Sequence, residues 1–151
     1  MKIAITMPPL PFRIKTRVIY ADTDAGGVVY HAAYLRFFES ARTEMIRHWN
    51  YSYRDMVEKG LILPVTESYL RYKAPALYDD LLITETALVE VKKVSCRFNY
   101  RILRAAENAG ERLLVQGFTT HACVGAQGRL RPFPAEFVRL LEQIIRSQNE
   151  K

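Results

Sequence analysis

The sequence predicts an α+β domain in which an antiparallel sheet wraps around one long helix. Three observations predict it. Residues 95–103 alternate cleanly, with Cys96, Phe98, Tyr100 and Ile102 on one side and Ser95, Arg97, Asn99 and Arg101 on the other, the period of a half-buried strand. Tyr34, Phe38, Ala41, Met45 and Trp49 recur at spacings of three and four, which is one apolar stripe of a helix. The order of patterns is strand, long helix, four strands in a row, helix. Consecutive strands with short turns between them pair antiparallel, and the long helix must pack on the sheet's concave face.

The elements follow in order. Residues 12–20 alternate as a strand, with Phe12, Ile14, Thr16, Val18 and Tyr20 sharing a face. Residues 21–27 are a turn-rich loop ending in two glycines. The helical pattern covers 31–49, with Arg36, Ser40, Thr43 and Arg47 on its polar side. Strands are expected at 61–72, 81–91, 95–103 and 112–124. Asn108-Ala109-Gly110 is a turn, and a final helix covers 135–146. A sheet wrapped around one helix leaves an edge and an outer face poorly covered, and pairing with a second copy solves that problem.

Composition narrows the function. The chain has 151 residues, enough for one domain with a sizeable core. With 49% hydrophobic and 25% charged residues, it matches globular proteins, not disordered or fibrous ones. A single domain over 1–151 is expected, with 1–11 a flexible proline-rich arm and 147–151 a tail. The opening residues read as too short and too proline-rich for a signal peptide. No stretch approaches the roughly 18 apolar residues of a membrane span. The two cysteines, Cys96 and Cys123, form no CxxC motif and read as reduced core residues, which suits the cytoplasm. A net charge of +6 favours anionic partners. Neither an aromatic-basic patch nor a zinc motif supports nucleic acid as that partner.

The chemistry-bearing segment is Tyr20-Ala21-Asp22-Thr23-Asp24-Ala25-Gly26-Gly27-Val28-Val29-Tyr30-His31. It places two carboxylates, two glycines and a histidine between a strand and a helix. Glycines allow close approach of a ligand to the backbone. A helix start offers unpaired N–H groups with partial positive charge, suitable for an oxyanion. A carboxylate beside them can attack an acyl group or activate water. The same residues also read as an ordinary turn in which an Asp accepts backbone N–H bonds. Phosphoryl transfer through Asp22-x-Asp24 would need a parallel sheet, against the strand order. His31, His48 and His121 lack metal-ligand spacing, and no nucleophile-elbow serine occurs. Asp22 is expected in a turn or cap role, and Glu39 in a pair with Arg42 or Thr43.

Residues 20–44, read as Y-x-D-T-D-x-G-G-V-V-Y-H-x-x-Y followed by F-x-E-x-A-R-T-E, resemble the hotdog-fold acyl-CoA thioesterases. The resemblance is to the YbgC type within the 4-hydroxybenzoyl-CoA thioesterase group. It implies a hotdog fold and hydrolysis of an acyl-CoA to a free acid and CoA, with no metal or cofactor. It implies that Asp24 is the catalytic carboxylate, as nucleophile or as general base. Tyr20 and His31 match the tyrosine and histidine proposed to assist, and the His31 N–H would polarise the thioester carbonyl. Lys92 and Lys93 correspond to a basic stretch that contacts the nucleotide phosphates of CoA; Arg129 and Arg131 are looser candidates. Active sites are implied at the interface of a homodimer, with dimers paired into tetramers. An acyl carrier protein is an alternative presenter of the acyl group. The alternative function is a non-catalytic protein of the same fold that binds acyl-CoA or acyl carrier protein, or serves as a scaffold.

Overall fold

The computed structural model describes residues 3–49 and 53–150, apart from the side chains of Tyr53 and Asp55. Residues 1 and 2 of the expected arm and residue 151 of the expected tail lie outside the described residues. The elements are β1 (Phe12–Arg17), α1 (Ala33–His48), α2 (Tyr53–Glu58), β2 (Val65–Tyr72), β3 (Leu81–Val91), β4 (Ser95–Ala106), β5 (Gly110–Ala122) and α3 (Ala135–Asn149). The five strands form one sheet in the order β1-β3-β4-β5-β2, and every pair is antiparallel.

The apolar side of β4 is the expected one. Cys96, Phe98, Tyr100 and Ile102 are all buried. The stripe on α1 meets them: Phe38 stacks on Tyr100 with ring centroids 4.1 Å apart, and Trp49 lies over Phe98 at 6.5 Å. Phe37 and Ile46 widen the buried face of α1. Each large side chain buried here contributes about 1.5–3 kcal/mol relative to exposure. Gly117, on β5 opposite Tyr100, permits this packing, because a Cβ there would stand 2.0 Å from the Tyr69 carbonyl oxygen and 3.1 Å from Phe38.

The structure departs from the sequence reading at several element boundaries. β1 stops at Arg17, and Tyr20–Asp22 forms a 3₁₀ turn. The short helix α2 precedes β2, which starts at Val65 and not at 61. Helix α3 continues through Ser147 to Asn149, so the start of the expected tail is helical. Its Gln148 is buried and takes a strand's place beside β3: Gln148 Nε2 donates to the Leu88 carbonyl (2.7 Å) and Oε1 accepts the Leu88 N–H (3.0 Å), at a register shift between Leu88 and Glu90. The arm is held at two points. The Leu10 N–H donates to the Gln148 carbonyl (2.9 Å), and Asn99 Nδ2 donates to the Thr6 carbonyl (3.0 Å). That contact explains why Asn99, on the outward side of β4, is buried.

Candidate active site

The segment between β1 and α1 is a small hairpin on a 3₁₀ base. Val18 is buried and bonded to the far turn, its N–H donating to the Asp80 carbonyl (2.9 Å). After the 3₁₀ turn, Thr23 pairs with Val29 across the hairpin. The Asp24 N–H donates to the Val28 carbonyl (2.9 Å), and the Gly27 N–H closes the turn onto the Asp24 carbonyl (3.0 Å). Gly27 has φ +81°, the left-handed conformation that a three-residue hairpin loop requires at this position. Asp24 Oδ1 accepts the Gly26 N–H at 2.8 Å. A Cβ on Gly26 would lie 3.1 Å from that same oxygen. Asp24 is exposed, and its other carboxylate oxygen accepts no bond among the described residues. The glycines therefore fix the carboxylate while leaving one oxygen without a partner among the described residues.

Asp22 has the cap role expected of it, and more. It is 5% exposed, its Oδ2 accepts the Ile19 N–H (3.0 Å), and its Oδ1 accepts from the Arg36 guanidinium on α1. Its carbonyl accepts the Tyr30 N–H at 2.8 Å. Arg36 is a partner that sequence reasoning missed, since its spacing only placed it on the polar side of α1.

His31 and Ala32 immediately precede α1. Their backbone N–H groups donate to nothing among the described residues, and they carry the positive end of the helix dipole. The Tyr72 hydroxyl, at the end of β2, donates to the His31 carbonyl (2.9 Å). Tyr34 packs against Tyr72, and its hydroxyl accepts the Ala76 N–H (3.2 Å). Burial raises the pKa of both phenols, so they stay protonated. The His31 ring is exposed, rests on Tyr30 at 4.5 Å, and forms no hydrogen bond among the described residues. It borders a cavity of about 330 Å³ lined by Val28, Val29, Tyr34, Tyr72 and Pro75 among others.

The structure does not bring every expected site residue together within one chain. Tyr20 is 81% exposed; its ring meets Tyr78 edge-on at 6.3 Å, and its hydroxyl bonds to nothing among the described residues. Lys92 and Lys93 are exposed in the β3–β4 turn. Arg17, which leads into the site loop, pairs with Leu81 at the start of β3. The lysines follow its other end, 11 residues on, roughly 30 Å away. Glu39 makes no ion pair with Arg42. It borders a separate cavity of about 590 Å³ with Arg42, Ile46, Leu63 and His121 among its walls.

Beside that cavity runs a buried polar chain. Arg42 donates to Tyr100 Oη (2.9 Å), Tyr100 Oη meets Thr119 Oγ1 (2.6 Å), and Thr119 Oγ1 meets His121 Nε2 (2.8 Å). His121 Nδ1 lies 2.9 Å from the Leu63 carbonyl. That carbonyl only accepts, so Nδ1 carries the proton, Nε2 accepts from Thr119, and Thr119 accepts from Tyr100. Burial lowers the His121 pKa to about 4; Arg42 pushes the same way, and the Leu63 carbonyl opposes. Burial pushes the Cys96 thiol up to about 12, so it supplies no thiolate at neutral pH. Among the described residues, no group of three or more His, Cys, Asp or Glu side chains is placed to hold a metal. No described helix is long and apolar enough to cross a membrane.

This fold has counterparts among known proteins. The model of the thioesterase-like superfamily matches residues 9–141. An acyl-CoA thioesterase YbgC from Haemophilus influenzae is 40% identical over 128 residues, covering 83% of this chain and 90% of that protein. An acyl-CoA thioester hydrolase YbgC from Escherichia coli is 44% identical over 94 residues, covering 62% of this chain and 70% of that one. A DHNA-CoA thioesterase structure from Staphylococcus aureus superimposes with a TM-score of 0.83 at 24% identity, covering 94% of this chain and 97% of its own, a likeness of fold. The chain belongs to the thioesterase-like superfamily, among the hotdog-fold thioesterases of the YbgC type.

Proposed function

We propose that this acyl-CoA thioesterase cleaves its substrate at the hairpin loop, with Asp24 as the catalytic carboxylate. One observation carries the reading: Asp24 has a free carboxylate oxygen in a turn held by Gly26 and Gly27, seven and eight residues before the unbonded N–H groups of His31 and Ala32. The thioester carbonyl oxygen sits against the His31 N–H, where the helix end stabilises the charge that develops on it. Asp24 then acts in one of two ways. As general base it takes a proton from water while the water oxygen bonds to the acyl carbon. As nucleophile it bonds to that carbon itself, and water opens the resulting anhydride. Either way the carbon–sulfur bond breaks with its electrons on sulfur. A thiol with a pKa near 8.5 leaves with little acid assistance. Tyr20 and the His31 ring assist from the rim, where both are exposed.

The site is completed by a second copy of the chain. β2 bonds to β5 on one side only, and Val65, at its start, is 50% exposed. Pairing along that edge gives a homodimer, and two dimers give a tetramer. Lys92 and Lys93 then serve the nucleotide phosphates of a CoA bound at the partner's loop, since their own loop lies at the other end of β3. The protein works as one domain in the cytoplasm, on acyl groups carried by CoA or by an acyl carrier protein.

The test is thiol release from a panel of short, long and aromatic acyl-CoAs, with Asp24→Asn beside the wild type. Turnover of some member by the wild type alone supports the reading and identifies the substrate class. Tight binding without thiol release from any CoA or carrier-protein substrate would favour the non-catalytic role.

A further inference from the structure

We infer that Asp22, through its ion pair with Arg36, is the positioning residue that sets Asp24 and the His31 N–H in register; this rests on the catalytic reading of Asp24. Asp22 touches two pieces of backbone and one helix side chain at once. Its carboxylate holds the segment that follows β1 through the Ile19 N–H, and the first turn of α1 through the Arg36 side chain. Its carbonyl holds the returning limb of the hairpin through the Tyr30 N–H. Asp24 lies two residues after it on the outgoing limb, and His31 follows Tyr30 directly. The spacing between carboxylate and oxyanion donors is therefore fixed at Asp22 more than at either of them.

The charge matters as well as the shape. Asp22 is 5% exposed, whereas the Arg36 side chain is 53% exposed and lies over the Phe37 ring at 4.8 Å. A buried carboxylate with one partner on the surface depends on that partner. An asparagine at 22 keeps the volume and can still accept the Ile19 N–H. Its amide nitrogen then faces the Arg36 guanidinium, donor against donor. The side-chain tie between the hairpin base and α1 is lost, while the backbone bond at Tyr30 and the sheet remain. A displacement of about 1 Å between reacting groups costs on the order of 100-fold in rate.

The experiment compares Asp22→Asn, Arg36→Met and Arg36→Lys with the wild type, and runs Asp24→Asn in parallel. Steady-state thiol release and backbone amide exchange are both read. For Asp22→Asn and Arg36→Met the expected result is a 10- to 100-fold fall in kcat with KM within about threefold. Exchange at the Asp24 and Tyr30 amides accelerates, while amides of β3, β4 and β5 keep their protection. Arg36→Lys retains more kcat than Arg36→Met, because it keeps the charge. Wild-type kcat and loop protection in Asp22→Asn would overturn the inference. So would loss of protection across the whole sheet, which would make Asp22 a general stability residue. If Asp24→Asn alone leaves kcat unchanged, the catalytic reading fails by itself, and the amide exchange still judges the clamp.

Discussion

The hairpin loop and the buried chain from Arg42 to Leu63 are built from similar side chains in opposite surroundings. The chain holds a histidine and a tyrosine whose pKa values are shifted by burial, a frequent mark of a working site. Yet every polar atom of His121 and Tyr100 already has a partner inside the protein. The loop holds Tyr20, Asp24 and His31 at the surface, with a carboxylate oxygen, a phenol, an imidazole and two backbone N–H groups unbonded among the described residues. The difference places the unused hydrogen-bonding capacity at the loop, where we propose the chemistry occurs, and not at the groups whose pKa values burial shifts. Paired in this way, His121 and Tyr100 can stiffen the core, but they have no polar side-chain atom left for a substrate.

The largest effect expected is at the loop. Asp24→Asn removes the only carboxylate of the site with a free oxygen and should lower kcat by roughly 100- to 10,000-fold, the usual range for a positioned general base. Asn retains an oxygen for the Gly26 N–H, so the thermal midpoint should stay close to that of the wild type. Comparable loss of fold and activity in this variant would erase the contrast between the two regions.

The next effect belongs to the buried chain and concerns stability. The folded-state pKa of His121 is about 4, below the ordinary value of 6.5. Between those values the unfolded chain binds a proton that the folded chain does not. Stability is therefore full above pH 6.5 and falls as the pH drops toward 4, by on the order of 3 kcal/mol for this group. A protonated Nε2 would also oblige the Thr119 hydroxyl to turn its proton elsewhere and accept. Urea unfolding of wild type and His121→Asn at pH 7 and pH 4.5 measures it. The variant, less stable at pH 7, should lose less between the two. Equal losses would remove His121 as the cause.

How much of this was legible in the sequence depends on distance along the chain. The β4 alternation and the α1 stripe are local periodicities, and both faces are buried as read. Asp22, Asp24 and His31 fall within ten residues, so their loop was legible as a unit. Arg36 and Tyr72 were not legible as its supports, because one lies on a helix face and the other at the end of β2, 41 residues from the carbonyl it holds. Helix α2 offered too short a pattern to detect. The strand reading ran past Arg17 because alternation continues through Tyr20, while the Asp22 cap turns the backbone there. The Arg42 alternative for Glu39 is not realised because the Arg42 guanidinium donates to Tyr100.

A smaller effect sharpens the account of the buried chain. Tyr100→Phe keeps the ring stacked on Phe38 and removes one oxygen between Arg42 and Thr119. Arg42 borders the 590 Å³ cavity and can turn to water there. The expected cost is about 1 kcal/mol in denaturant unfolding, with kcat at the loop unchanged. A large fall in kcat would mean that the chain reaches the reaction after all.

The smallest effect expected is that of the two lysines, and it tests the dimeric site. Lys92 pairs loosely with Glu90 at 3.7 Å, and both lysines are exposed, so each contributes little to stability. If they meet the nucleotide phosphates across a subunit boundary, replacing both by alanine should raise KM for acyl-CoA about threefold, equivalent to about 0.6 kcal/mol, with kcat unchanged. The rise should shrink with added salt, because exposed charges are screened. A thioester of the same acyl group on N-acetylcysteamine has no phosphates and should show no change. An equal rise for both substrates would place the lysines' influence on the acyl group or the fold. No change for either would leave their charge without a role in CoA capture, and the approximately 30 Å along β3 would then separate two unrelated ends of the molecule.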